Sequence, residues 1–245
     1  MEWFEKEAFW RDLYPFMFSA ERFAAARDEV TQMLALARCT AGRVLDLCCG
    51  PGRHAVELAQ RGFTVTGVDR SPFLLDIARQ RGAEAGVSPE WVSEDMRQFV
   101  RPDSFDLACN IFTSFGYFQD EQDDLRVLRN LHISLKDGGA LVMELLGKER
   151  LARVWQNSSC DDLPDGGVLL QRRRLRHDWT RILSEWTLIK DGDARTFSFE
   201  HTIYSGRELK DRLLHCGFRS VQLYGSLAGA PYDQDAARLV AAARK

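Results

Sequence analysis

The sequence predicts an α/β protein built on a doubly wound, mostly parallel sheet of seven strands, with a small antiparallel cap. Apolar runs alternate with amphipathic stretches between residues 43 and 145, which is typical of parallel strands joined by helices. The first apolar run, Val44–Leu47, leads directly into a glycine-rich turn at residues 50–52. Residues 150–203 depart from the alternation and contain strand-like segments, which predicts the cap.

Length and composition agree with one large domain, or with a domain that carries a cap. The chain has 245 residues, of which 45% are hydrophobic. Its 33 basic and 36 acidic residues give a net charge of −3, so a nucleic-acid partner is not expected. No window approaches 18 uncharged apolar residues, and we expect no membrane span. The oligomeric state cannot be read from these features.

The cysteines and the N-terminus indicate a reducing, cytoplasmic location. Six cysteines are scattered without a C-x-x-C pair or a zinc-ligand spacing, so we expect free thiols and no metal site. The N-terminus is rich in glutamate and lacks a long apolar run, and we therefore expect no signal peptide.

Residues 1–38 are predicted to be helical, with Pro15 separating two helices. This segment is unusually rich in aromatic residues. They could pack against the sheet as core, or they could form a lid over a ligand.

The alternating region gives the following elements. Strands are predicted at 43–48, 64–68, 90–93, 105–110 and 140–145, and helices at 53–61, 72–82 and 121–135. Ser71 and Pro72 form a typical helix start, with serine as the cap and proline in the first turn. Residues 136–139, Lys-Asp-Gly-Gly, predict a helix stop and a turn before the fifth strand.

Beyond residue 150 the patterns predict a cap followed by a return to the sheet. Cap strands are expected at 168–170, 181–188 and 196–203, with a hairpin turn at Asp191–Gly192. Ser205 and Glu208 form a capping box that opens a helix ending near residue 215. The sixth and seventh strands are expected at 218–224 and 238–243.

The turn after the first strand indicates a crevice for a nucleoside cofactor. Gly50 and Gly52 lack a Cβ, so the backbone can turn tightly and approach a ligand. Asp69 ends the second strand, where a carboxylate can accept both ribose hydroxyls. Together with Ala55 these residues fit the dinucleotide pattern G-x-G-x-x-G/A, so a nicotinamide-dependent oxidoreductase remains one alternative.

A second alternative rests on a family resemblance. Asp46-x-Cys48-x-Gly50-x-Gly52 resembles the first motif, D/E-x-G-x-G-x-G, of class I S-adenosylmethionine-dependent methyltransferases. Residues 68–71 resemble the second motif and residues 94–96 the third. The resemblance extends from about residue 40 to 147, with further pieces near 204–244, and implies the Rossmann-like fold in which the last strand runs antiparallel beside the sixth. One departure is Cys48, which replaces the usual first glycine and would crowd the methionine end.

The resemblance implies that S-adenosylmethionine is the cofactor, and it assigns roles at the methionine end. Asp46 would organise the glycine loop and the methionine ammonium. The backbone at Cys48 and Gly50 would line the methionine moiety, and Gly52 would belong to the same cofactor-binding turn. Tyr14, from the helical lid, is our expected contact beside the sulfonium, because an aromatic face suits a cation.

At the adenosine end the resemblance assigns four more residues. Asp69 would take the ribose hydroxyls, and Arg70 would flank the adenine. Asp95 would accept a hydrogen bond from the exocyclic amine, while Met96 would pack on the ring.

The segment that follows the fourth strand should face the donor methyl. Asn110, Ile111 and Phe112 are expected to contact the cofactor, and Phe115 and Tyr117 to line the acceptor pocket. The segment lacks the N/D-P-P-Y/F signature of base-modifying methyltransferases. A small-molecule acceptor, methylated on an oxygen or a nitrogen, is therefore the favoured interpretation.

Two further predictions concern the cap. His201 is the candidate general base, although a hydrogen-bonded or solvent-facing strand histidine is the plainer interpretation. Arg172 and Arg174 share one face of a strand and could bind an anionic acceptor, or could form a solvated edge.

These inferences divide the chain into an N-terminal helical lid (1–38), a cofactor domain (39–149 and 204–245) and an inserted cap (150–203). The oxidoreductase alternative leaves Asp46 and Asp95 unexplained and predicts a Tyr-x-x-x-Lys pair that the sequence lacks. A non-catalytic S-adenosylmethionine-binding protein is the remaining alternative, because no catalytic signature beyond the cofactor motifs is evident.

Overall fold

The structure is a computed structural model that describes residues 2–245. A short 3-10 turn, Trp3–Glu5, precedes seven α-helices: α1 Glu7–Met17, α2 Ala20–Ala37, α3 Arg53–Gln60, α4 Pro72–Glu84, α5 Glu121–Ser134, α6 Lys148–Val154 and α7 Gly206–His215. The strands of the main sheet are β1 Arg43–Leu47, β2 Thr64–Asp69, β3 Glu90–Ser93, β4 Phe105–Asn110, β5 Leu135–Leu145, β10 Ser220–Tyr224 and β11 Leu239–Arg244. The cap sheet comprises β6 Ser158–Asp162, β7 Val168–Arg176, β8 Arg181–Lys190 and β9 Asp193–Thr202.

The main sheet has the order β3-β2-β1-β4-β5-β11-β10. Strands β1 to β5 are parallel, whereas β11 runs antiparallel to both β5 and β10. The fold class predicted from the sequence is therefore confirmed, including the antiparallel last strand beside the sixth. The strand order reverses between β1 and β4, which is where an open α/β sheet binds its ligands.

Both faces of the main sheet are covered, so its central strands are buried. Helices α5 and α7 pack on one face, through Val127, Leu131 and Leu209 among others. Helices α2 and α3 pack on the other face, through Val30 and Leu58. Burial on both faces explains the nearly continuous apolar runs of β1 and β4.

The cap sheet is an antiparallel meander in the order β6-β7-β8-β9. Asp191 and Gly192 both have positive φ angles, of 53° and 85°, and join β8 to β9 in a two-residue hairpin, as predicted. Strand β6 and helix α6 were not predicted. The sequence of β6, Ser-Ser-Cys-Asp-Asp, has few apolar residues, because the strand lies at an edge and is mostly exposed.

The N-terminal segment, residues 2–18, packs on the cap sheet through α1, and its Phe4 also packs against the core of the main sheet. Phe9 and Leu13 are buried in one cluster with Leu169, Leu188 and Phe199. The aromatic richness of this segment therefore serves an interface between helix α1 and the inner face of the cap.

Several boundaries differ from prediction, and β7, for example, extends to Arg176 instead of residue 170. Pro15 lies inside α1, and the break between α1 and α2 falls at residues 18–19. The helix continues past the proline because the amide of Phe18 still donates to the Tyr14 carbonyl at 2.8 Å. Strand β5 begins at Leu135, which pairs with Phe105; the turn at residues 136–139 is a bulge in this strand, and regular pairing resumes at Ala140.

Two helix starts match the sequence prediction. The Ser71 hydroxyl accepts a hydrogen bond from the Leu74 amide and caps α4. Ser205 and Glu208 form a reciprocal capping box at α7. Among the helices in residues 2–245, none combines the length and apolarity needed to cross a bilayer.

Candidate active site

A cavity of about 540 Å³ connects the main sheet to the cap. One end lies at the carboxyl ends of β1, β2 and β4, and we call it the strand-tip end. The other end, which we call the cap chamber, is lined by seven residues of the cap sheet: Gln171, Arg173, Ile182, Ser184, Trp186, Phe199 and His201. The N-terminal segment contributes wall to the cavity, beginning at Trp3.

The glycine turn between β1 and α3 shapes the strand-tip end. Gly50 and Gly52 have φ angles of 54° and 76°, in the left-handed region that favours glycine. A Cβ on Gly52 would approach Trp91 to 2.8 Å. Cys48 has a φ of 64°, which costs a residue with a Cβ about 1 kcal/mol. That backbone conformation explains why glycine is usual at this position.

Asp69 lies at the carboxyl end of β2 and lines the cavity. One carboxylate oxygen accepts from the Gly50 amide at 2.8 Å, and the other accepts from the Ser71 amide at 2.9 Å. Burial raises the pKa of Asp69 to about 6. Each oxygen retains a free lone-pair site, so the carboxylate can still accept two hydroxyl donors.

Asp46, on β1, presents an unsatisfied oxygen. The side chain is 2% exposed, and its Oδ1 accepts from the Cys109 thiol at 3.5 Å. Its Oδ2 has no hydrogen-bond partner among the described residues. Burial raises the pKa of this carboxyl. An orphaned carboxylate oxygen is costly unless a donor binds it, so this residue fits the cationic ammonium of S-adenosylmethionine.

Asp95 and Met96 follow β3 at the same end of the cavity. Arg97 donates to the Asp95 carboxylate, with its Nη2 at 2.6 Å, and Arg70 also bonds to it. Burial alone would raise the pKa of Asp95, but these hydrogen bonds and charges outweigh it and lower the pKa. The Cys48 thiol lies 3.5 Å from the Met96 sulfur. Arg70, in turn, pairs with Glu5 of the N-terminal segment.

Arg22 on α2 lines the cavity, although no sequence pattern indicated it. It lines the strand-tip end, and its guanidinium stacks on the Phe112 ring at 4.8 Å. Burial and the charges of Arg53 and Arg238 lower its pKa. No carboxylate of residues 2–245 lies within 4.0 Å of it. The residue belongs to no motif, so only the fold brings it to the cavity.

The segment after β4 crosses the middle of the cavity. Ile111 and Phe112 line it, whereas Asn110 is fully buried beneath, where its side-chain amide donates to the Leu47 carbonyl at 3.0 Å. Phe112 and Thr113 have positive φ angles of 66° and 58°. Strained backbone of this kind is concentrated at functional sites.

His201 lies in the cap chamber beside Tyr117, with ring centroids 5.1 Å apart. Its Nδ1 has no hydrogen-bond partner among the described residues. Burial and the charge of Arg181 lower the pKa of His201 to about 4, so the imidazole is neutral at pH 7. Burial raises the pKa of Tyr117 to about 12. A neutral imidazole can accept a proton or a hydrogen bond from a ligand.

Several predicted site residues lie elsewhere. Tyr14 is half-buried against Phe18 and Phe73, outside the cavity lining. Phe115 is buried in the core against Tyr204, because its neighbours on the loop take the cavity-facing positions. Gly52 turns the chain behind the cavity wall.

The two predicted cap arginines lie on the outer face of β7. Arg172 and Arg174 are exposed, and Arg174 pairs with Glu185 at 3.8 Å. Gln171 and Arg173 face the cavity instead. Alternate residues of a strand point to opposite faces, so the sequence correctly groups Arg172 with Arg174 but does not reveal which face is inside.

Comparisons with known proteins agree with this geometry. Residues 44–139 match the sequence model of a family described as "Methyltransferase domain". The Bacillus subtilis protein YqeM, named as a methyltransferase, is 24% identical over 200 residues, covering 80% of this chain and 81% of its own. A solved S-adenosylmethionine-dependent methyltransferase from Clostridium acetobutylicum superposes with a TM-score of 0.77 at 16% identity, over 91% of each chain.

A further structural neighbour is described with its cofactor bound. CalS10 from Micromonospora echinaspora, an amino pentose methyltransferase solved with S-adenosylmethionine, has a TM-score of 0.68 and 22% identity, over 93% of each chain. These likenesses favour S-adenosylmethionine over a nicotinamide cofactor. The motifs, the sheet order and the comparisons together support a class I S-adenosylmethionine-dependent methyltransferase.

Proposed function

We propose that this enzyme transfers the methyl group of S-adenosylmethionine to an oxygen or nitrogen of a small molecule bound in the cap chamber. The observation that carries the proposal is the pair of carboxylates, Asp46 and Asp69, that line one cavity with unused acceptor sites. The strand-tip end would hold the cofactor, and the cap chamber would hold the acceptor.

At the methionine end we assign opposite charges to the two ends of the amino acid. The orphaned oxygen of Asp46 would accept from the ammonium group. Arg22, which has no carboxylate partner in the described chain, would bind the carboxylate. The backbone of Cys48 and Gly50 would line the chain between them, and Ile111 and Phe112 would cover it.

At the adenosine end Asp69 would accept from the ribose hydroxyls. Asp95 would accept from the adenine amine, with Met96 and Arg70 beside the ring. Both Asp95 oxygens already accept at least two hydrogen bonds from Arg70 and Arg97, so the adenine amine would replace one of these when it binds.

Bound S-adenosylmethionine supplies a methyl group on a positively charged sulfur, which is already activated for displacement. The protein therefore has to align the acceptor and exclude water. The aromatic walls of the N-terminal segment and cap serve the second task. For a hydroxyl acceptor, His201 would take the proton at its unpartnered Nδ1.

The chain would then work as three parts: the lid at 1–38, the cofactor domain at 39–149 and 204–245, and the cap at 150–203. The ion pairs between Arg70 and Glu5 and between Arg195 and Asp12 support a lid that spans the other two parts. The cap residues of the described chain that line the cavity include no carboxylate, and their one histidine is neutral at pH 7, so both oxygen and nitrogen acceptors stay open.

Calorimetric titration with S-adenosylhomocysteine tests the cofactor site. We expect binding by the wild-type protein and a loss of about 100-fold in affinity for Asp69→Ala, because two hydrogen bonds to a charged acceptor are lost. Asp76→Ala is the matched control, since Asp76 is an exposed acid on α4 paired only with Arg79. No heat at millimolar ligand would refute the assignment.

A further inference from the structure

The walls of the cap chamber carry one sign of charge. Arg173 is the only ionised side chain that the cap sheet of the described chain contributes to the cavity, since His201 is neutral at pH 7. The carboxylates that line the cavity, such as Asp46 and Asp69, belong to the strand-tip end. An acceptor in the cap chamber therefore meets a cation and no acid.

Arg173 is oriented by neighbours that leave its charge available. Its Nη2 donates to the Gln171 amide oxygen at 2.7 Å and to the Ser159 hydroxyl at 3.2 Å. Gln171 is held in turn by donating to Asp161 at 2.9 Å. A guanidinium has five N–H donors, so three remain unused. Burial lowers the pKa of Arg173, and the charge of Asp161, which lies outside ion-pair distance, partly offsets this effect. An oriented, unpaired guanidinium is suited to a planar anion.

The remaining walls are aromatic and contain unpaired donors. Trp3 and Trp186 both pack against Phe199, with ring centroids 5.0 and 5.2 Å from it. The indole Nε1 atoms of both tryptophans are buried without an acceptor in the described chain. Such a chamber fits a flat apolar ring whose oxygen atoms can receive the indole hydrogens.

We propose that the methyl acceptor is an anionic aromatic molecule, in the simplest case an aromatic carboxylic acid, whose carboxylate binds Arg173. The inference rests on the proposed function and narrows its substrate class. It disfavours a cationic amine, because placing an ammonium beside an unpaired guanidinium is repulsive. The ring of the acid packs against the aromatic walls of the cap chamber. Where the ring carries a hydroxyl group as the methyl acceptor, that hydroxyl is directed towards the donor methyl and His201.

Paired acid and amide probes test the proposal. 4-Hydroxybenzoate and 4-hydroxybenzamide have nearly the same shape, as do 2-naphthoate and 2-naphthamide, and each pair differs by one charge. In protein saturated with S-adenosylhomocysteine, calorimetry should show that at least one acid binds about tenfold or more tightly than its amide. Arg173→Gln should abolish this preference.

Arg172→Gln is the matched control, because it removes the neighbouring arginine from the outer face and should keep the preference. Both variants should retain the wild-type affinity for S-adenosylhomocysteine, which shows that they fold. If neither acid is preferred, or if the preference survives in Arg173→Gln, the inference is overturned while the cofactor site stands. If S-adenosylhomocysteine does not bind to the wild-type protein, the proposed function itself fails.

Discussion

Asp69 illustrates how one side chain can be predicted while its chemistry cannot. Its position at the end of β2 follows from the sequence, because strand, glycine turn and acid occur in a recognisable order. Its raised pKa results from burial, which the hydrogen bonds from the Gly50 and Ser71 amides only partly offset, and only the folded chain creates these surroundings.

The pKa of about 6 predicts a pH dependence for cofactor binding. The ribose hydroxyls bind to the ionised carboxylate, so affinity is complete well above pH 6 and falls as Asp69 is protonated, by up to about tenfold per pH unit below it. Calorimetry with S-adenosylhomocysteine between pH 5 and 8 measures this. Asp69→Asn should bind weakly and show a flatter profile. If the affinity of Asp69→Asn for S-adenosylhomocysteine changed with pH as steeply as that of the wild type, the prediction would be contradicted.

Arg22 predicts a selective effect on the amino-acid end of the cofactor. We expect Arg22→Gln to lower the affinity for S-adenosylhomocysteine by about tenfold or more, since a charge-assisted hydrogen bond is lost. Binding of 5′-methylthioadenosine, which has no amino-acid carboxylate, should be unchanged. Arg27→Gln, an exposed position on the same helix, is the control. Equal losses for both ligands would show that Arg22 acts on the fold instead.

The alternation of side chains between the two faces of a strand limits what the sequence can reveal about Arg173. The run Arg172 to Arg174 contains residues for both faces of β7, and a shift of one residue exchanges inside for outside. Nothing in the run itself distinguishes the inner Arg173 from the outer Arg172. The choice depends on pairing with β8 and on the position of the N-terminal segment.

Among the elements, helix α5 and the start of α7 are joined by a buried polar contact. The Tyr204 hydroxyl donates to the Asp124 carboxylate at 2.5 Å. Burial raises the pKa of Asp124 to about 6. Neither residue lines the cavity, and Tyr204 packs on Phe115 of the loop after β4, with ring centroids 5.5 Å apart.

This contact predicts how stability changes with pH. The folded-state pKa of Asp124 lies above its unfolded value near 4. The contribution of Asp124 to the free energy of unfolding is therefore complete below pH 4 and is lost as the pH rises through 6. Asp124→Asn mimics the protonated form, so its free energy of unfolding should not share the loss that the wild type shows as the pH rises. The difference in free energy of unfolding between the variant and the wild type should therefore be about 2 kcal/mol more favourable to the variant at pH 8 than at pH 4. Chemical denaturation at both pH values measures the difference. The exposed Asp137→Asn should show no such gain.

Prediction of elements succeeded where local pattern and packing agree. The parallel strands and the capped helices α4 and α7 have apolar periodicity and defined cap residues, and they are found as expected. The edge strand β6 and the short helix α6 depend on neighbours distant in the sequence, and their own residues carry weak signals. The packing of α1 on the cap likewise depends on tertiary contacts, which the sequence of α1 alone does not reveal.

For the whole molecule, cofactor binding should stabilise the fold. A ligand present at 100 times its Kd adds about 2.7 kcal/mol to the free energy of unfolding. For a chain of this size that corresponds to a rise of about 5–10 °C in Tm. Thermal denaturation with S-adenosylhomocysteine should show this rise in the wild type and little of it in Asp69→Ala at the same concentration. A ligand-independent Tm in the wild type would contradict the site assignment.

The N-terminal segment touches both ends of the cavity, through Glu5 to Arg70 on one side and through Phe9 to the cap on the other. If the N-terminal segment moves when either ligand binds, the two ligands cannot bind independently, because both contact this segment. Thermodynamic reciprocity then requires that whatever factor the donor imposes on acceptor affinity, the acceptor imposes on the donor. The N-terminal segment would thus couple the binding of the methyl donor to the binding of the acceptor within one protein molecule.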